Sequence, residues 1–125
     1  MRAIKGPASG GGAAGGVVTA VSTIDGTLTT IDTVAIPVSE ALFITAKIVA
    51  IRDTLAEKSV IEIEAGYANN AGTVTIAGAV NYQHRQVPAG WDVTFVISGT
   101  NVLIRVAGNA ATNIDWKCNR VTLGV

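Results

Sequence analysis

The chain is expected to be all-β: an antiparallel two-sheet β-sandwich, preceded by an extended Gly-rich N-terminal arm. Three observations carry this expectation. After residue 26 the sequence breaks into short runs rich in Val, Ile and Thr, the residue types that fit a pleated, half-buried surface. Gly, Asn, Ser or Pro closes these runs at intervals of about 8–12 residues, the turn spacing of a sandwich. Within the runs apolar and polar residues alternate, the period of a strand with one face buried.

The elements follow in order. Gly6 to Gly16 reads Gly-Pro-Ala-Ser-Gly-Gly-Gly-Ala-Ala-Gly-Gly, a tract with much backbone entropy to lose and few side chains to bury. Residues 1–26 are therefore an arm and residues 27–125 the sandwich domain. An arm laid across a neighbouring subunit would make its contacts through Ile4, Pro7, Val17 and Val18; an arm held against its own domain is the competing reading. Val17 to Asp25 reads as a lead-in strand or as more of the arm. Thr27–Val38 holds one strand or two, with Val34, Ile36 and Val38 alternating and Pro37 marking an edge or a break.

Ser39 to Ala56 has a capping sequence for a helix in Ser39-Glu40-Ala41-Leu42, but Ile44, Thr45, Ile48, Val49 and Ile51 favour a strand. Because Ala41–Arg52 is apolar on both faces, it is expected to be a central strand covered on both sides. Ser59–Tyr67 places Ile61, Ile63, Ala65 and Tyr67 inward and Glu62 and Glu64 outward. Asn69 to Gly72 is a turn, Thr73–Ala77 a short strand, and Gly78 to Gly90 irregular. Trp91, Val93, Phe95 and Ile97 share a face; a tight hairpin at Ser98-Gly99-Thr100-Asn101 leads to Val102, Ile104 and Val106. In the last strand Ile114, Trp116 and Cys118 line one face, while Val121 and Leu123 have the opposite parity. A bulge near Asn119-Arg120 is expected to bring them back into phase.

With 125 residues the chain has room for one domain. Its charged share is 14%, against a usual share of about 25%. A small protein that lacks charge must cover its exterior with Thr, Ser and Asn or bury it against partners. Nine basic and nine acidic residues cancel, so the basic stripe that attracts nucleic acid is missing. No window approaches the roughly 20 apolar residues of a membrane helix. Met1-Arg2-Ala3-Ile4-Lys5-Gly6-Pro7 has the charge of a secretory leader without its apolar core. Neither nucleic acid nor membrane is expected as a partner.

Few residues suit catalysis. Gly10-Gly11-Gly12-Ala13-Ala14-Gly15 matches G-x-G-x-x-G in letters but lacks the strand and helix that make the motif bind phosphate. The single His84 and single Cys118 fall short of a zinc site, which takes at least three protein ligands. Cys118 alternates with Ile114 and Trp116 as a buried apolar residue would; a symmetric disulfide between subunits or a reactive thiol are the other readings. Glu62 and Glu64, two apart on a strand, could pair as glycosidase carboxylates, but they read as a solvated face. Asp25, Asp32 and Asp53 form no clustered calcium loop. Trp91 and Trp116 read as core anchors. The candidates for a shallow glycan site are Tyr67, Tyr82, His84 and Arg85. No catalytic residue, metal or cofactor is expected.

The C-terminal half resembles a known pattern. Thr73-Val74-Thr75, Trp91-Asp92-Val93-Thr94, the run from Ser98 to Gly108, and Thr112-Asn113-Ile114-Asp115-Trp116 are similar to small virion structural proteins of tailed bacteriophages. The resemblance spans about residues 41–123, and this chain departs from the pattern at Lys117-Cys118-Asn119-Arg120. It implies a jelly-roll-like sandwich on the phage head or on a tail appendage, with no catalytic residues. On that footing the expected protein is a non-enzymatic capsid decoration (cement) protein that stabilises the head shell. The alternative is a tail or neck appendage, a fibre knob or collar component with possible host-glycan binding. The expected partners are its own copies, as a homodimer or homotrimer, and the major capsid protein or other virion proteins. Its place would be the virion, assembled in the host cytoplasm.

Overall fold

The computed structural model describes residues 16–52 and 57–125. Eight strands are formed: β1 Val17–Thr23, β2 Thr29–Ala35, β3 Ala41–Arg52, β4 Lys58–Asn70, β5 Thr73–Gln86, β6 Asp92–Ser98, β7 Asn101–Ala107 and β8 Ile114–Gly124. They make two antiparallel sheets, a five-stranded one in the order β1-β8-β3-β4-β5 and a three-stranded one in the order β2-β7-β6. The expected β-sandwich is the fold. The chain wraps in the jelly-roll manner at its ends, with β1 beside β8 and β2 beside β7. Between them β3, β4 and β5 form a meander, and β6 and β7 a hairpin.

Alternation builds the core. Ile44, Ala46, Ile48 and Ala50 of β3, Ile61, Ile63, Ala65 and Tyr67 of β4, and Ile114, Trp116 and Cys118 of β8 are buried on the inner side of the larger sheet. Val34 of β2, Val93 and Phe95 of β6, and Val102, Ile104 and Val106 of β7 meet them from the smaller sheet. Trp91 and Trp116 pack as a tilted pair, with ring centroids 5.7 Å apart, and Tyr67 reaches across to Phe95 at 6.5 Å. Both tryptophans are core residues, as their parity predicts.

The hairpins use short turns. Between β4 and β5 only Ala71 and Gly72 intervene, at φ 55° and 95°, as the favoured two-residue hairpin turns require. Asn69 braces this turn: its amide Nδ2 donates to the Ile36 carbonyl at 2.7 Å, and its Oδ1 accepts from the Gly72 N–H at 2.8 Å.

The structure departs from expectation in four places. First, β5 runs on through Gln86 rather than stopping at Ala77. Its register against β4 shifts twice, between Glu62 and Ile63 and between Glu64 and Gly66, and Gly78 at φ 91° lies in the second irregularity. An edge strand open to solvent needs no apolar alternation, so its polar sequence concealed it. Second, Val38 is exposed, because the chain turns at Pro37 and Ser39, where φ is 67°.

Third, β8 holds one register against β3 from Ile114 to Gly124, without the expected bulge. Arg120 stays on the inner side, where Asp32 neutralises it, and Val121 and Leu123 project outward. Fourth, β3 is central in its sheet but is covered on one side only. Phe43, Val49 and Ile51 face outward and are 43%, 50% and 41% exposed.

A candidate assembly surface

The outward side of the five-stranded sheet is the feature that asks for a function. Pairing across the sheet sets its side chains in rows. At one end lie Leu123, Phe43, Gly66 and Ala77, with Val121 one row in. At the other end Ala20, Lys117, Val49, Val60 and Gln86 form a row, next to Ser22, Asp115, Ile51 and Lys58. Between the apolar ends runs the polar row Val18, Asn119, Lys47, Glu62, His84. Val121 and Leu123 are 47% and 72% exposed; Val60 at the other end and Val18 in the central row are exposed as well. An open depression of about 610 Å³ lies at the β1–β8–β3 end, lined by Ala20, Val49, Ile51 and Lys117 among others. Exposed apolar side chains in this number on one face, here two groups with a polar row between them, mark an interaction site more often than bare solvent exposure.

The two open sides of the sandwich are closed by polar side chains. On the β1/β8 side, Arg120 Nε donates to Asp32 Oδ2 at 2.9 Å, and Trp116 Nε1 donates to Thr23 Oγ1 at 2.9 Å. On the β5 side, the Tyr82 hydroxyl donates to the Val93 carbonyl at 2.5 Å. The Arg85 guanidinium lies 4.7 Å from the Tyr82 ring centroid and pairs with Asp92 at 3.1 Å. Burial pushes the Tyr82 phenol above its ordinary pKa, and the nearby Asp92 adds to the rise.

These contacts locate the residues singled out from the sequence. Tyr82 and Arg85 come together, and what they touch is β6. Tyr67 is buried in the core, where loss of solvent raises its pKa. His84 stands opposite Glu62 in the sheet and is exposed on the outward side, the other face from Tyr82. The four glycan candidates thus do not share one surface. Glu62 and Glu64 do point outward; Glu64 accepts from Gln83 Nε2 at 2.8 Å, and Glu62 is flanked by Lys47 and His84. Asp25 accepts the Thr27 N–H at 2.8 Å, which lowers its pKa and shapes the β1–β2 loop. Asp32 is committed to Arg120, and Asp53 lies outside the described residues.

Among the described residues no group of three His, Cys, Asp or Glu is placed to hold a metal ion, and no helix is long and apolar enough to cross a membrane. Cys118 is buried, and the same burial pushes its thiol up to about 12. Of the arm candidates, Ile4 and Pro7 lie outside the described residues, as does the Gly10–Gly15 match. Val17 and Val18 belong to β1 and pair with Arg120 and Asn119 of β8. Sequence reasoning missed the outward face because it assumed a second cover for β3 and a bulge in β8. The clue available was the odd parity of Val121 and Leu123.

No protein-family model matches the chain, and no curated protein matches it either. Solved structures do. The tailspike protein gp49 of Acinetobacter baumannii bacteriophage Fri1, a capsular polysaccharide depolymerase, aligns with 82% of this chain at 15% identity and a TM-score of 0.49. The tailspike protein of Acinetobacter baumannii phage AM24 aligns with 82% at 10% identity and a TM-score of 0.37. The aligned part is 17% of the first tailspike and 25% of the second, so this chain corresponds in length to a small part of either. Neither likeness transfers an activity, a substrate or a partner to this chain.

Proposed function

We propose that this chain is a structural module of a bacteriophage virion, set on a tail or neck appendage, and that it works by assembly rather than by catalysis. The observation that carries the reading is the uncovered face of the β1-β8-β3-β4-β5 sheet. Exposed Phe43, Val49, Ile51, Val60, Val121 and Leu123 on one face suit a building block whose surface is completed by neighbours. The phage assignment rests on the strand-and-turn pattern of residues 41–123 described above. The appendage is preferred to a capsid decoration because part of the arm over residues 1–26, which in a decoration protein would lie across neighbouring capsid subunits, is not free. Residues 17–23 of that arm are a strand of the sandwich, paired along β8.

The test is location and copy number. Gold-labelled antibody against the chain should mark the tail or neck of intact particles, at tens of copies or fewer. Labelling spread over the whole head, at hundreds of copies, would return the decoration reading. A particle carrying no copies would remove the virion assignment altogether.

A further inference from the structure

We infer that the outward face of the five-stranded sheet docks onto the same face of a second copy of this chain, about a twofold axis that lies between β3 and β4 and runs nearly along them. The inference deepens the assembly reading above and rests on it. Two features argue for this occupant: the pattern of charge across the face, and its area.

The charge pattern selects the axis. In the central row, Lys47 of β3 stands beside Glu62 of β4. Among the described residues the ion pairs are Arg52–Glu57, Arg85–Asp92 and Arg120–Asp32, so neither Lys47 nor Glu62 is engaged in one. A twofold axis along the strands between β3 and β4 exchanges the two columns. It sets Lys47 over the partner's Glu62 and, by symmetry, Glu62 over the partner's Lys47. The other in-plane choice, an axis across the strands along this row, sets Lys47 on Lys47 and Glu62 on Glu62, which repel. An isologous contact must be self-complementary, and only the first axis makes this one so.

The apolar rows agree with the same axis. Val49 and Val60 share a row, as do Phe43 and Gly66. Exchange of columns puts valine on valine. It also brings the two Phe43 rings together across the axis, since each ring already leans over Gly66 of its own chain, which has no side chain there. Tilting the axis about 15° from the strands gives the roughly 30° crossing at which sheets pack face to face.

The area is sufficient. β3 has 12 residues. About this axis β8, β3, β4 and β5 face their counterparts and β1 lies beyond the overlap; at about 3.4 Å per residue and about 4.8 Å per strand, four strands of that length offer on the order of 800 Å². A standard interface takes about 800 Å² from each partner. The alternating charges and valines of the central rows give the centre of that patch both register and apolar burial.

The experiment is a charge reversal read by sedimentation equilibrium on the full chain at low salt. The wild-type chain should be a dimer. Lys47→Glu alone and Glu62→Lys alone should each weaken association by roughly tenfold or more, since each places two like-charge pairs at the centre. The double variant Lys47→Glu/Glu62→Lys should recover it. Val60→Lys should abolish it, and thermal melts should show all four variants folded. A monomer at every concentration overturns the inference. So does an oligomer insensitive to Val60→Lys, or a double variant no better than the single ones. Particle labelling fails or succeeds independently of these results, so loss of the dimer leaves the virion assignment standing.

Discussion

Arg120 of β8 and Asp32 of β2 join the two sheets through a two-point contact, with Nε to Oδ2 at 2.9 Å and the second guanidinium nitrogen to Oδ1 at 3.4 Å. The side chains are 18% and 7% exposed, so the pair is largely out of water. It explains how a charged residue occupies an inward position of β8 without a bulge. Asp32 sits where the register of β2 on β7 shifts, between Thr30 and Asp32, and that irregularity turns its carboxylate toward β8.

Removing one member of this pair leaves the other charged and poorly hydrated. Arg120→Met or Asp32→Asn alone is expected to cost about 3 kcal/mol in urea unfolding. The double variant should cost less than either single one, because it leaves no charge buried without its partner. Single variants within about 0.5 kcal/mol of wild type would show that the pair is dispensable.

Trp116 Nε1 and Thr23 Oγ1 form a second tie, between β8 and β1, with both residues buried. Thr23→Val keeps the shape and removes the acceptor. It should destabilise the fold by about 1–2 kcal/mol, the usual effect of leaving a buried donor unpaired. An unchanged denaturation midpoint would mean that water replaces the threonine hydroxyl.

Cys118 supplies a pH dependence. Its folded pKa is raised from 9.0 to about 12, chiefly by burial, with the Asp32 charge adding to the rise. The unfolded chain therefore loses this proton first. Stability from Cys118 is complete below pH 9 and is lost as pH climbs toward 12. Linkage sets the slope at no more than about 1.4 kcal/mol per pH unit. Tyr67 and Tyr82, also raised by burial, act in the same direction above pH 10. Cys118→Ala should flatten the decline between pH 9 and 10, measured by urea unfolding at several pH values. The native thiol should also resist a thiol reagent at pH 8 until the protein unfolds; immediate reaction would contradict its burial.

The β4–β5 turn stores strain at Ala71, a residue with a side chain at φ 55°. Ala71→Gly should raise stability by roughly 0.5–1 kcal/mol, whereas Gly72→Ala, at φ 95°, should lower it by a similar amount or more. Opposite signs at adjacent positions make the test specific to backbone conformation. A loss of stability in both variants would point instead to a packing role for the Ala71 methyl group.

Much of the architecture was readable in the chain because it rests on local rules. Alternation in Ser59–Tyr67, in Trp91–Phe95 and in Val102–Val106 placed those side chains inward, and the structure buries them. The turns at Asn69–Gly72 and Ser98–Asn101 were likewise marked by their residue types. These features depend on a period of two and on backbone preferences, both local to a few residues. What lay beyond such reading depends on partners far apart in sequence. A charge at an inward position of β8 suggests a bulge near Asn119-Arg120 until Asp32, 88 positions away, is brought beside Arg120. Without that pair the phase of β8 could not be known, and with it Val121 and Leu123 come to lie on the same outward face as Phe43. The uncovered surface exists because a three-stranded sheet covers only the inner side of a five-stranded one. How many strands join each sheet is a matter of long-range pairing, and the pattern within any single strand is silent about it.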